Sequence, residues 1–294
     1  MNTRFVASSF VAAAFAVPAV VLAQDTFQAE AGLSHSEVKV GPTRQTTVGP
    51  EATIFLGRLP AVPKDYPLEQ AQFVERISSL SASFARTSLD LGNSQGTRKG
   101  SLSGVSFDFR RPDTPLIASA AIASLYSGNE IDVRLYQLSL GAYVDKTTAL
   151  ALDASRTLIS TRFFSGGSSF SEFTDTVTSI GFSGQHLARL SGGDHVALIA
   201  GISRDTHEQE GAAPEKNRSV FLKATYYPTK MVGLTLGVLS DRGDDSLTEG
   251  KTYEAGVRMF LTPALSLGFD LLRFDARARS DSDNSITIKA LVRF

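Results

Sequence analysis

The sequence predicts an all-β protein: a transmembrane, antiparallel, up-and-down β-barrel of about 14 strands, with roughly 12 to 16 as bounds. Three observations carry this. Apolar and polar side chains alternate with a period of two along most of the chain, which is the signature of a strand with one oily and one wet face. The second faces of these strands collect Gly, Ser, Thr and charges of both signs, whereas a soluble barrel would bury an apolar interior. The connections alternate between short turns and longer polar loops, as in transmembrane barrels; a β-sandwich has no reason to sort its loops in this way.

The chain has 294 residues, with 29 Lys and Arg against 30 Asp and Glu, a net charge of −1, and no Cys or Trp. Near-neutrality argues against a nucleic-acid partner. The absence of Cys removes disulfides and thiolate metal sites. Met1 to Ala23 combines Arg4 with an apolar run from Phe5 to Val21 and the small or apolar residues Val21-Leu22-Ala23. It is expected to be a secretory signal peptide cleaved after Ala23, leaving one domain, 24–294. The alternative, a membrane-anchor helix, is set against an apolar run at the short limit for spanning. Gln24 to Phe294 holds no apolar stretch of roughly 18 residues, so a transmembrane helix is not expected there.

In order, the alternating segments begin with Phe27–Leu33. A polar stretch containing Gly41, Pro42, Gly49 and Pro50 leads to Ala52–Leu56. Pro60, Pro63 and Pro67 then stiffen a connector. Within it Leu68, Ala71, Gln72 and Glu75 share a helical face, so Leu68 to Arg76 has two readings: a short helix tucked into the lumen as a plug, or, preferred here, part of a long periplasmic turn. Leu80–Phe84, Val105–Arg110 and the Ala-rich Leu116–Leu125 follow, the last two joined by the turn Arg111-Pro112-Asp113-Thr114-Pro115. Ile131–Val144 changes phase near Leu135 and Tyr136, which predicts a β-bulge. Leu150–Ser155 precedes a Gly/Ser stretch with three phenylalanines, Phe163 to Ser171, expected as an external loop or, alternatively, as a segment folded inward to narrow a channel. Ser179–Ser183, His195–Ser203, Ser219–Tyr226, Val232–Val238, Tyr253–Met259 and Leu265–Leu271 are the cleanest alternations. The longer loops are Ser160–Glu172, Thr206–Asn217, Asp241–Gly250 and Arg277–Asn284. Phe27, Tyr143, Tyr226, Tyr227, Tyr253, Phe260 and Phe294 fall near strand ends and are expected to form interfacial girdles. An even strand count puts both termini on the periplasmic side.

The last ten residues, Ser285 to Phe294, have Ile286, Ile288, Ala290, Val292 and Phe294 on one face. This resembles the terminal strand of bacterial outer-membrane β-barrels, where the same residues are the membrane-insertion signal. The repeated hairpins such as Val232–Leu261 agree with it. The segment Leu68-Glu69-Gln70-Ala71-Gln72-Phe73-Val74-Glu75-Arg76 is similar to an acidic-Ala-x-Phe-Leu-x-Arg motif of one group of Gram-negative general porins, with Gln70 where that motif has Glu. The resemblance implies an outer-membrane location, the barrel-insertion machinery, outer-membrane lipid and lipopolysaccharide as partners, and a channel for small polar solutes with no cofactor. General porins are usually homo-trimers of larger barrels with a long internal loop; no loop here is long enough for that one.

Parity assigns twelve charges to the lumen face: Glu30, Asp108, Arg110, Asp132, Arg134, Asp153, Lys223, Glu254, Arg258, Asp270, Lys289 and Arg293. Charges of mixed sign facing across a pore orient water and disfavour apolar solutes, and rings of charge are how pores select ions. The plainer reading is that they pair with one another along the wall; with no dominant sign, weak charge selectivity is expected. Arg86, Arg98, Lys99, Arg156 and Arg162 lie near external strand ends, where they either bind lipopolysaccharide phosphates or form a solvated rim. A closed-lumen barrel working through its external loops is the alternative to a channel. An enzymatic barrel needs Ser–His or Asp–His sets. The four histidines are His35, His186, His195 and His207. His35 and Ser36 are strand neighbours and point to opposite faces. No catalytic set, phosphate loop or metal-spaced cluster emerges, so an enzyme is not expected.

Overall fold

The computed structural model describes residues 25–41, 43–90, 97–127, 131–165, 169–209, 211–243, 249–276 and 283–294; at residues 40, 162–165, 169–172 and 276 only the backbone is considered. The expected signal peptide lies outside the described residues. Fourteen strands follow one another: β1 Thr26–Val40, β2 Thr43–Pro60, β3 Ser79–Asp90, β4 Thr97–Arg110, β5 Leu116–Ser127, β6 Ile131–Tyr143, β7 Thr148–Ser165, β8 Ser169–Arg189, β9 His195–Gln209, β10 Glu215–Thr229, β11 Val232–Gly243, β12 Gly250–Thr262, β13 Leu265–Ala276 and β14 Asp283–Arg293. Each pairs antiparallel with its sequence neighbours, and β14 pairs with β1 to close the barrel. The fold class and the strand number are those the alternation predicts. Closure leaves no open edge, which lipid requires because it offers the backbone no hydrogen-bond partner.

The faces sort as the period of two dictates. Leu56, Val105, Leu152, Ile180, Leu222 and Leu236 are 50–69% exposed on the outer wall. Their sequence neighbours turn inward. Exposed apolar side chains in such number are tolerable only against lipid.

The strands run further than the polar composition of their ends suggests. β7 and β8 pair through Phe163↔Ser171 and Phe164↔Phe170, so the Phe-rich stretch is the tip of a long hairpin and not a loop. β9 and β10 likewise absorb 206–209 and 215–217 of the expected loop 206–217, and β11, β12 and β14 take in 241–243, 250 and 283–284 of the next two. Polar side chains do not stop a ladder once it has left the membrane, because water solvates both faces. This overshoot lies at the end opposite the termini, which is the external end of such barrels. Gly49 and Pro50 also sit inside a strand, β2. An added Cβ at Gly49 would lie 2.0 Å from the Phe84 carbonyl oxygen, so only glycine lets β2 and β3 approach there.

The expected bulge at Leu135 and Tyr136 is absent: β6 keeps one register against β5 and β7 throughout. Register shifts occur instead at Phe27/Ala29, Tyr226/Thr229 and Phe260/Thr262, all at the terminus-bearing end.

Between β2 and β3 the chain folds inward. A 3-10 turn, Leu68–Gln70, runs into one helical turn, α1, Ala71–Val74. Leu68 and Ala71 are each 1% exposed. This segment, with Phe27, Phe55, Leu59, Tyr143, Leu187 and Tyr227 around it, is the protein's apolar core. The preferred reading of a periplasmic turn is therefore corrected to the plug. Leu68, Ala71 and Phe73 would be greasy side chains in water in an external turn. Inside the barrel end each large one gains about 1.5–3 kcal/mol from burial.

Candidate functional site: a plugged lumen

Residues 61–78 touch strands all around the barrel, which only a segment inside it can do. Gln70 Nε2 donates to the Tyr227 hydroxyl on β10 at 2.8 Å, and Gln185 Nε2 on β8 donates to Gln70 Oε1 at 2.9 Å. Arg258 on β12 donates to Glu69 Oε1 at 3.2 Å, and Arg293 on β14 to the Leu68 carbonyl at 3.4 Å. The Tyr143 hydroxyl on β6 donates to the Phe73 carbonyl at 2.7 Å, and Gln72 Nε2 to Ser79 on β3 at 2.7 Å. His195 on β9, 5% exposed, donates through Nε2 to the Asp65 carbonyl at 2.8 Å, which fixes its tautomer. The backbone N–H of Leu68 donates to the Lys230 carbonyl, and Lys230 Nζ returns a bond to the Pro63 carbonyl at 2.9 Å. Within the plug Tyr66 donates to Glu75, and burial, followed by that carboxylate, pushes the phenol well above its usual range.

The girdle expectation is corrected for four residues. Phe27, Tyr143, Tyr227 and Phe260 are 1–5% exposed and pack inward. Only Tyr226, Tyr253 and Phe294 face outward, at 39–47% exposure. Strand-end position is the same for a girdle residue and for one that grips a plug; the plug decides which it is.

Ten of the twelve lumen candidates lie on the inward face, and two do not. Because β6 has no bulge, Asp132 and Arg134 share the outward face of Leu138 and Leu140 and form an exposed pair of 2.9 Å near the external end. The inward charges are mostly neutralised locally. Arg110 forks Asp108 at 3.0 and 2.7 Å. Arg293 binds Glu30 at 2.8 Å beneath the Phe260 ring, Lys223 binds Glu254 at 2.5 Å, and Ser183 donates to Asp153 at 2.6 Å. Lys289 Nζ lies 2.6 Å from Glu51 Oε1, an ion pair without the geometry of a directed hydrogen bond. Asp270 fills the space that a side chain at Gly256 would take. Arg258 is held by the plug's Glu69, a partner that strand parity does not supply. Sequence reasoning also left out Glu51, Gln185 and Tyr227 as lumen residues. Their alternation was visible, but their roles depend on partners remote in sequence.

The plug does not fill the whole cross-section. On the β4–β9 side it leaves a cavity of about 150 Å³ bounded by Phe73, Asp108, Arg110, Ser119, Ser139 and Gln185. This wall presents hydroxyls, an amide and a neutral ion pair, interspersed with Ile117, Leu150, Ile199 and the Phe73 ring. The Arg110 guanidinium lies 5.9 Å from the centre of the Phe73 ring.

The histidines form no catalytic set. His35 points outward while Ser36 points inward and accepts from Thr287 at 3.0 Å. His186 contacts Thr148 at 2.8 Å, and His207 lies 3.9 Å from Glu215. No group of three His, Cys, Asp or Glu side chains among the described residues could hold a metal.

No protein-family model and no curated protein matches this chain. Solved structures do. The outer membrane protein Omp33 of Acinetobacter baumannii superposes with a TM-score of 0.59 at 15% identity, over 92% of this chain and 99% of that one. The monoaromatic hydrocarbon channel CymD superposes with a TM-score of 0.50 at 10% identity, over 95% of this chain and 92% of that one. The fold is that of Gram-negative outer-membrane β-barrels. A closed 14-strand barrel with an apolar belt has its place in that membrane.

Proposed function

We propose that this protein is an outer-membrane channel for the passive diffusion of small polar solutes, throttled near its periplasmic end by residues 61–78. The observation that carries the reading is the inward wall itself, which beyond the apolar seat of the plug carries hydroxyls and ion pairs, with a cavity beside the plug between Phe73 and Arg110. Eight strands already close around side chains alone, so 14 leave a water-filled lumen beyond the plug. Ion pairs such as Lys223–Glu254 and Arg110–Asp108 balance charge locally, which supports weak ion selectivity. The hydrocarbon in CymD's description is not carried over, since inward ion pairs such as Lys223–Glu254 and Lys289–Glu51 suit hydrated solutes.

Planar-bilayer recording of the purified full chain tests the proposal. Wild-type protein is expected to give small conductance steps with a reversal potential near zero in a KCl gradient. The plug-loosening pair Glu69→Ala and Gln70→Ala is expected to enlarge the steps. The plug's dense hydrogen bonding favours a second reading, a closed-lumen barrel acting through its external hairpins. Silence of both the wild type and the loosened variant would remove the channel and leave that reading.

A further inference from the structure

The outer wall has a depression among the described residues. Where β13, β14, β1, β2 and β3 lie side by side, one rung of the ladder carries three adjacent alanines and the next an alanine and a proline. One rung is Leu265, Val292, Ala31, Ala52 and Ala82. The next includes Ala290, Leu33 and Pro50. Elsewhere outward alanines stand between larger neighbours, as Ala154 does between Leu138 and Ile180 and Ala224 between Leu198 and Leu236. The result is an apolar groove of about 580 Å³ open to the membrane, with Phe84 at one flank.

Toward the external end, the rung above the groove aligns Ile288, His35, Val48 and Arg86. The rung above that brings Ser88 and Lys99 side by side. A third pairs Lys39 with Arg44. Arg86 and Lys99 are exposed and face outward, as the groove does. Two residues of strand separate Phe84 from Arg86, roughly 7 Å at 3.3 Å per residue. The rim also holds two acids: Glu37, engaged by Arg44, and Asp90, which lies opposite Arg44 on β3. Apolar concavity and cationic rim therefore sit one above the other on one face, with the cations on the side of the outer leaflet.

We propose that this groove is a lipopolysaccharide site: an acyl chain lies along Ala31, Ala52 and Ala82, and a lipid A phosphate rests on Arg86 and Lys99. Arginine forks phosphate oxygens, and lysine adds a point charge. A second copy of the chain is the weaker occupant, because a two-fold contact is self-complementary and sets a patch against itself. Arg86 and Lys99 would then meet their own counterparts. The inference needs only the outer-membrane fold and is independent of whether the lumen conducts.

Native mass spectrometry of the full chain in detergent, titrated with lipid A, dephosphorylated lipid A or phosphatidylglycerol, tests it. One lipid A per chain is expected, with binding weaker by about tenfold or more for the dephosphorylated form and for the Arg86→Ala/Lys99→Ala pair. Ala52→Phe fills the groove and is expected to weaken binding similarly, by about tenfold. Ala154→Phe, of the same bulk on the opposite wall between Leu138 and Ile180, is expected to leave binding unchanged. Folding of every variant is read from its heat-modifiable gel mobility. The Arg86/Lys99 pair lies outside the packed wall and keeps the test alive if Ala52→Phe does not fold. Equal retention of all three lipids, or equal binding by wild type and the Arg86/Lys99 pair, overturns the proposal. A wild-type dimer that Ala52→Phe abolishes would assign the groove to a second copy instead.

Discussion

Arg293 concentrates more of the site's physics than any other side chain. It is 8% exposed, pairs with Glu30 across the β1–β14 seam, reaches the Leu68 carbonyl of the plug and lies 4.8 Å from the centre of the Phe260 ring. Removing one member of a buried pair strands the other charge. Arg293→Ala is therefore expected to cost about 3 kcal/mol, measured as a shift in the urea midpoint of heat-modifiable mobility. Glu30→Gln combined with Arg293→Met is expected to recover much of that loss. Asp145, in the β6–β7 turn, behaves differently. The Thr147 N–H, then the Thr148 hydroxyl, hold its carboxyl below the usual value of 3.8. A depressed carboxylate contributes stability that is present above the unfolded value and disappears as pH falls through the folded one. Asp145→Asn is accordingly expected to lower the melting temperature at pH 7 and to be indistinguishable from wild type near pH 2, by melting curves at the two pH values. Asp132 and Arg134 mark where residue-level reading failed. The change of phase at Leu135 and Tyr136 predicts a bulge that β6 does not have. In a membrane barrel the outer strand end is wetted on both faces, so charges there do not report which face is the lumen.

The element that decides the behaviour of the molecule is the connector between β2 and β3. Its sequence carries Pro60, Pro63 and Pro67 and one helical face of Leu68, Ala71, Gln72 and Glu75, enough for a short helix but not for its destination. The destination is set by partners on other strands: Tyr143, Gln185, Tyr227, Arg258 and Arg293. The same contacts drew four of the expected girdle aromatics inward. Loosening one fastening tests the mechanics of the plug. Arg258→Ala leaves Glu69 without its ion partner and is expected to raise proteolytic cleavage within 61–78 severalfold in detergent, with the barrel's own midpoint changed by less than about 1 kcal/mol, as for a partly exposed pair. Equal protection of the wild-type and Arg258→Ala segments would show that apolar packing alone holds the plug.

For the whole molecule, the governing quantity is the difference between the two faces of the wall. Leu222 is 50% exposed on the outside of β10. Leu222→Arg is expected to cost about 2–4 kcal/mol in a bilayer, the range for a cation on the lipid face near the midplane. Ser285→Arg, on the inward face near the external end, is expected to change stability by less than about 0.5 kcal/mol. Urea titration of protein folded in lipid vesicles compares the two. Similar costs at both positions would contradict the assignment of faces.

The sequence by itself determined the barrel, its strand number and the face of nearly every wall residue, because a strand's period of two is a local property that each segment carries in its own composition. Only the tertiary structure decided where strands end, that residues 61–78 enter the lumen, and which charges pair: Lys289 with Glu51, Arg258 with Glu69, Arg293 with Glu30. Those outcomes depend on contacts between segments tens to hundreds of residues apart, and ring closure is what brings such segments into one lumen.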